Sequence, residues 1–343
     1  MRAVSLFGPR DLQLVERPEP SLAGGHQTMA TVAAVGLCGS DLHYYKDGHI
    51  GATQTVSAPF TPGHEFAVWL NYDVRELGLK AGTLVAVDPG KACGQCEWCR
   101  RDEINLCPKP IFIGAPPYDG ALCDQMAIDI DRIVPIPTTI DAAGAAMLEP
   151  LGICIHALDL AKPQWFETVA VVGCGPIGLG VIQLLRLAGV HDITAIEPVA
   201  YRRDKAIELG AAAGFADGDA WLQASGGRGA DLVIEATNSP LGFAAACTAA
   251  RIGGRAVIIG IPDGNSYTFE AATARRKQLS IIFSRRMTHT YPRAIDLVVK
   301  RGLDLTAFIT HTISLEQVPD AFDMLCDHRD GAIKVMVTPN PSN

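Results

Sequence analysis

Three short segments carry the residue types that metal-assisted chemistry needs. GLCGSDLHYY holds Cys38, Ser40 and His43, TPGHEF sets His64 beside Glu65, and AAMLEPLGICIH contributes Glu149. A thiolate, an imidazole and a carboxylate make the mixed donor set of a catalytic zinc, which keeps one position open to polarise an alcohol oxygen and acidify its proton. Cys38, His64 and one carboxylate meet that requirement. Ser40 and His43 add a hydroxyl-to-imidazole route by which the released proton reaches solvent. Each residue taken singly has a plainer reading: Cys38 as a buried thiol, His64 as a core histidine, Glu149 as a helix cap. What favours chemistry is the company they keep.

A second cysteine group has a different character. In ACGQCEWCRRDEINLC, Cys93, Cys96, Cys99 and Cys107 are separated by two, two and seven residues. Four thiolates on one loop can close a tetrahedral zinc shell, with Zn–S near ~2.3 Å and no position left for substrate, so this metal is expected to be structural. An iron–sulfur cluster, or cysteines of no fixed role, are the alternatives that spacing leaves open.

The third feature is GCGPIG, residues Gly173 to Gly178, directly after the apolar run Thr168 to Val172. Gly173 suits the tight turn, Gly175 lets backbone approach a pyrophosphate, and Gly178 lets the following helix, entered through Pro176 and Ile177, pack closely on the strand. That helix offers its N-terminal N–H groups and positive dipole to the phosphates. The next apolar run, Asp192 to Ile196, ends in Glu197, placed to bond the ribose hydroxyls and so to favour NAD over NADP. Arg202 and Arg203 follow closely and soften that discrimination.

These residues need two kinds of scaffold. Up to about residue 150 the chain is broken by Gly and Pro and carries short β-like runs, Thr31 to Val35, Leu84 to Val87 and Arg132 to Ile136. From about residue 168, TVAVVG, DITAIE, LVIEA and RAVIIG read as buried parallel strands with helical crossovers such as Ile177 to Leu187. Mixed character returns from Met287, ending in a strand candidate at Ala332 to Val337. An α/β protein is expected.

Length and composition agree. At 343 residues, 48% hydrophobic and 19% charged, the chain is expected to form two domains. A formal charge of -8, without any basic cluster, disfavours nucleic acid. No run reaches the length of a membrane span and the first residues do not read as a signal peptide, so a cytoplasmic protein is expected, its ten cysteines serving as ligands and buried thiols rather than disulfides.

On CGSDLHYY, GHE at Gly63 to Glu65, the four-cysteine loop, PPYDG at Pro116 to Gly120, LEPL at Leu148 to Leu151 and GCGPIG, the sequence resembles the medium-chain zinc alcohol dehydrogenases, and among them the sorbitol (polyol) dehydrogenases, over nearly its whole length. The resemblance implies a GroES-like, β-rich catalytic domain from residues 1–150 and 287–343. It implies a Rossmann domain, a doubly wound parallel sheet binding NAD, from 151–286. It further implies one catalytic and one structural zinc and a homo-oligomer, with a tetramer favoured. The positions matching Cys38, His64 and Glu65 hold the catalytic metal together with water, and Glu149 matches a carboxylate beside that water. Glu149 stands where simple alcohol dehydrogenases carry cysteine. Tyr44, Phe112 and Arg286 match substrate-lining positions. Two departures stand out: FAVWLNYDVRELGLKAG lacks the glycines customary after GHE, and Met287 replaces a usual tyrosine.

The expected activity is hydride transfer between NAD and a secondary alcohol of a polyol or related sugar acid. Oxidation of threonine or of a simple alcohol is the rival within the family. A non-catalytic nucleotide sensor or a zinc-lobe interaction module is the rival outside it; neither has a use for Cys38, Ser40, His43, His64 and Glu65 together.

Overall fold

The computed structural model describes residues 1–51 and 54–340. The chain divides into two compact units, Met1–Glu149 with Tyr291–Asn343, and Pro150–Thr290.

In the first unit, among the described residues, a seven-stranded sheet runs in the order Ile133–Pro135, Leu84–Val87, Glu65–Leu70, Gln27–Gly36, Lys334–Val337 and Ile309–Ile313, with Gln125–Asp129 also paired to Gln27–Gly36. An antiparallel ribbon, Arg2–Gly8 with Asp11–Glu16, accompanies it. The core gathers Val4, Leu6, Val32, Val35, Phe66, Val68, Val85, Leu122 and Phe322. The register matters for the site. Gly36 is opposite Glu65 on one side and opposite Met336 on the other, so only the strand Gln27–Gly36 separates the C-terminal strand from Glu65–Leu70. The segment after GHE closes on Asp73. The Asp73 carboxylate accepts from the Ala81 N–H at 3.0 Å and from Lys80 Nζ at 2.9 Å, while Gly78 and Gly82 take the left-handed backbone.

The second unit is α/β. Six parallel strands stand in the order Ala213–Phe215, Ile193–Ile196, Val169–Val172, Ala230–Glu235, Ala250–Ile258 and Ser280–Phe283. In chain order this is 3-2-1-4-5-6, the doubly wound arrangement of two mononucleotide-binding halves that meet beside the first strand. VAVV, ITAI and ADLVIE are buried throughout, as strands covered by helices on both faces must be. The two edge strands are the ones that the apolar runs miss. AGF is only partly buried and SIIF exposes Ser280 and Phe283, so neither has the unbroken apolar signature of a central strand. Among the described residues no helix is long and apolar enough to cross a membrane.

Candidate active site

Cys38 is the N-cap of the helix Gly39–Asp47. The helix start is built around Asp41. Its fully buried carboxylate accepts from the Cys38 N–H at 3.1 Å, and its Oδ1 lies 3.4 Å from His64 Nδ1. His64 follows Gly63, whose φ of 98° and lack of Cβ are both required: a Cβ would come within 2.9 Å of Val35 Cγ1. With Nδ1 turned to Asp41, Nε2 faces the Ser40 hydroxyl at 3.4 Å. Phe112 packs on the imidazole at 5.5 Å between ring centres.

The donor atoms of Cys38, His64 and Glu65 all lie within 4.8 Å of one another. Sulfur, nitrogen and oxygen donors thus converge, His64 and Glu65 buried and Cys38 half-buried, and that set suits zinc. The electrostatics agree. Burial opposes a charged imidazole, yet Asp41 and Cys38 hold His64 well above its ordinary range, so the cluster recruits positive charge. Lys334 answers the same demand. Completely buried, it donates to the Leu37 carbonyl at 2.9 Å and forms a short ion pair with Glu65. Gly36 makes room for this pair: a Cβ there would stand 2.3 Å from Glu65 Oε2 and 2.9 Å from Lys334 Cε.

Glu149, in the first turn of Leu148–Ala161, is buried in the same field. Burial, foremost, pushes its carboxyl up to about 8; Glu65 and Asp88 add to this while His64 and Lys334 oppose it. His43 is buried and sits 3.8 Å from the Asp47 carboxylate, one helical turn on, which is partly exposed. Tyr44 is 2% exposed and packs edge-on against Phe60 within the apolar core.

In the cysteine loop, Sγ of Cys93 and Cys99 are 3.9 Å apart and those of Cys96 and Cys99 are 3.4 Å apart; the Cys93 N–H points at Cys107 Sγ from 3.3 Å. A tetrahedral ZnS4 centre has S···S separations of roughly 3.8 Å, given Zn–S near 2.3 Å. The four ligand atoms lie within 4.8 Å of one another, and all ten cysteines are free of disulfides. The N–H groups of Gln95 and Cys96 pull the Cys93 thiol down to about 6, while burial, foremost, and the Cys96 thiol push Cys99 up to about 12.

In the second unit Gly173 has φ of 90°, and a Cβ there would meet Thr237 Cγ2 at 2.5 Å. A Cβ on Gly178 would stand 1.9 Å from the Gly173 carbonyl oxygen, so helix and turn touch through bare backbone. Gly175 caps the helix Pro176–Leu187 without any side-chain hydrogen bond, and its outward side is open. The first-turn N–H groups are thus left for a phosphate. Glu197 ends Ile193–Ile196 and accepts from the Cys174 N–H at 2.7 Å and the Val199 N–H at 3.0 Å. Arg203 braces the Glu197 carbonyl at 2.6 Å, and the Arg202 guanidinium lies over the Tyr201 ring. Arg286 takes a left-handed backbone with φ of 54°. Met287 packs on helix Leu148–Ala161 where Gly152 leaves space, its sulfur accepting from the Thr290 hydroxyl at 3.1 Å.

Residues 24–138 match the alcohol dehydrogenase GroES-like domain, and residues 176–300 match the zinc-binding dehydrogenase domain. Sorbitol dehydrogenase of Bacillus subtilis (strain 168) is 32% identical over 99% of this chain and 98% of its own. The chain belongs to the zinc-dependent medium-chain alcohol dehydrogenases. It falls in their sorbitol and polyol group. D-xylulose reductase A of Aspergillus oryzae is 31% identical over 92% of this chain and 91% of its own. Among solved structures, an alcohol dehydrogenase from E. coli CFT073 complexed with NADH is 27% identical, covering 98% and 99% of the two chains with a TM-score of 0.86.

For this dehydrogenase the motifs pick out the donor atoms but not what orients them. Asp41 stands three residues after Cys38, the spacing of a capping carboxylate, and that spacing is its only sequence signal. Lys334 interrupts the apolar strand AIKVMV; a charge in a buried run marks a paired group, but its partner is 269 residues away.

Proposed function

We propose that this dehydrogenase transfers a hydride between NAD and a secondary alcohol of a polyol or related sugar acid. The observation that carries this reading is the convergence of a half-buried Cys38 with the buried His64 and Glu65, with Asp41 beside the imidazole. Zinc held there would supply Lewis acidity to an alcohol oxygen, and NAD would supply the hydride acceptor. The protein's own groups manage the proton. Ser40 sits at Nε2 of His64, and His43 lies one turn on along the same helix face with Asp47 beyond it toward solvent. Glu149, which burial pushes up to about 8 in the metal-free protein, is assigned to a hydrogen bond with a substrate hydroxyl. Phe112 and Arg286 are assigned to the substrate wall, and Glu197 to the ribose of NAD. Four convergent sulfur atoms support a second, structural zinc.

The relatives named for sorbitol and D-xylulose support a polyhydroxylated substrate. The buried Glu149 carboxyl also disfavours long aliphatic alcohols, which would leave it unpaired. The test is the absorbance of reduced nicotinamide with polyols, sugar acids, threonine and primary alcohols, each with NAD and NADP, before and after chelation. Zinc-dependent turnover of polyols or sugar acids with NAD is expected; turnover confined to primary alcohols or threonine refutes the substrate class. The reading includes a homo-oligomer, supported by the open edge strand Ser280–Phe283, where Phe283 is 61% exposed.

A further inference from the structure

The last residue of strand Ala230–Glu235 is a carboxylate that nothing above uses. Glu235 is completely buried. It accepts hydrogen bonds from the Thr237 N–H at 2.8 Å, from the Thr237 hydroxyl, and from the Gly260 N–H at 3.2 Å. Its main-chain carbonyl accepts from the Ile259 N–H at 2.8 Å. One side chain therefore ties the turn leaving this strand to the turn leaving its neighbour, Ala250–Ile258. The three donors are neutral, and burial raises the carboxyl above its ordinary range. An acid buried without a cation in its shell is costly, and an apolar turn residue would fold at less expense.

The surroundings are cleared for this group. A Cβ on Gly242 would lie 2.3 Å from Glu235 Oε1, and one on Gly260 would lie 2.7 Å from Oε2. Thr237, held by Glu235 through both backbone and hydroxyl, in turn presents its methyl to Gly173, the first glycine of the dinucleotide turn. All of this lies at the carboxyl ends of the strands, where open α/β sheets bind ligands. In the 3-2-1-4-5-6 order, the first three strands form the half that carries Glu197, and the strand of Glu235 begins the other half. With adenosine on the Glu197 half, the Glu235 half receives the nicotinamide end.

We propose that Glu235 is a positioning residue for the nicotinamide half of the cofactor, clamping the Thr237 and Gly260 turns in the geometry that nicotinamide needs. The proposal rests on the NAD reading above. In E235Q one face of the amide is a donor, so at least one of the three neutral donors loses its acceptor while side-chain volume is kept. The experiment is calorimetric titration of the full-length, zinc-loaded protein with NADH, NAD and ADP-ribose, alongside thermal melting. The expected result is a tenfold or greater rise in Kd for NADH and NAD, with ADP-ribose unchanged within twofold. Equal weakening of ADP-ribose would reduce Glu235 to general turn stability, and unchanged Kd values for all three would remove the clamp. Wild-type protein that binds ADP-ribose but neither nicotinamide form overturns the cofactor reading and the proposal with it. If E235Q does not fold, T237V decides: it deletes the hydroxyl donor, keeps the methyl against Gly173, and is expected to weaken NADH about threefold while sparing ADP-ribose. No change in T237V overturns the clamp.

Discussion

Replacing Lys334 by methionine separates what the buried ion pair does for folding from what it does for the metal. The substitution keeps an apolar stem as far as the ε position and removes the ammonium group with its charge. In the metal-free protein it leaves Glu65 buried without its counter-charge. Breaking a buried pair from one side costs about 3–5 kcal/mol. Leu37 also loses the 2.9 Å bond to its carbonyl, worth about 1 kcal/mol. For a unit of this size each kcal/mol moves the midpoint by about 2–4 °C, so chelated Lys334→Met is expected to melt roughly 10 °C or more below the chelated wild type.

With zinc present the arithmetic changes. A divalent cation held by Cys38, His64 and Glu65 takes over the counter-charge, so most of the ion-pair penalty is absent and only the Leu37 loss is common to both forms. By linkage, the difference between the metal-free and zinc-bound losses appears as tighter zinc binding. Each 1.4 kcal/mol recovered is tenfold in affinity, and at least tenfold is expected. Scanning calorimetry on chelated and reloaded protein, with competition against a chromogenic chelator, measures both sides of the cycle. An equal fall in midpoint with and without zinc, and unchanged zinc affinity, would show that Lys334 does not compete with the metal for Glu65.

Two further outcomes follow from the same geometry. Cys99→Ser is expected to lower bound metal by one equivalent and to lower the melting temperature, while the zinc at Cys38, His64 and Glu65 stays in place; metal analysis showing two equivalents and an unshifted midpoint would contradict a structural zinc in the loop. Asp231 is opposed by burial, but hydrogen bonds from Arg228, Arg251 and the Thr168 N–H pull it down to about 2. Its folded pKa lies below its unfolded value, so its stabilisation is present above pH 4 and is lost as pH falls toward 2; Asp231→Asn is expected to cost about 2 kcal/mol at pH 7 and to flatten the acid limb of a denaturant-monitored stability profile.

What could be read from the sequence was what lies close together along it. Cys38 with Ser40, His64 with Glu65, the four cysteines and the three glycines each fall inside one short window, and local spacing decides their geometry. Central strands were equally legible, because a strand buried on both faces has to be apolar throughout. Edge strands such as Ser280–Phe283 escape that rule. Lys334 escapes for another reason: its place beside Glu65 depends on the register that puts Gly36 between Glu65 and Met336, and register is a property of the assembled sheet.

Glu197 and Glu235 show how far local reading reaches. Both end an apolar run, DITAIE and LVIEA, and pattern alone gives them the same standing. Topology distinguishes them. Glu197 accepts from two backbone donors in and beside the glycine turn, on the first half of the sheet, where an adenosine ribose is read. Glu235 turns inward on the second half and spends its lone pairs on Thr237 and Gly260. If NAD binds as proposed, Glu197 meets the cofactor directly and Glu235 shapes the turns around it, so their substitutions should separate in binding assays: loss at Glu197 is expected to fall on ADP-ribose and NADH alike, and loss at Glu235 on the nicotinamide forms alone.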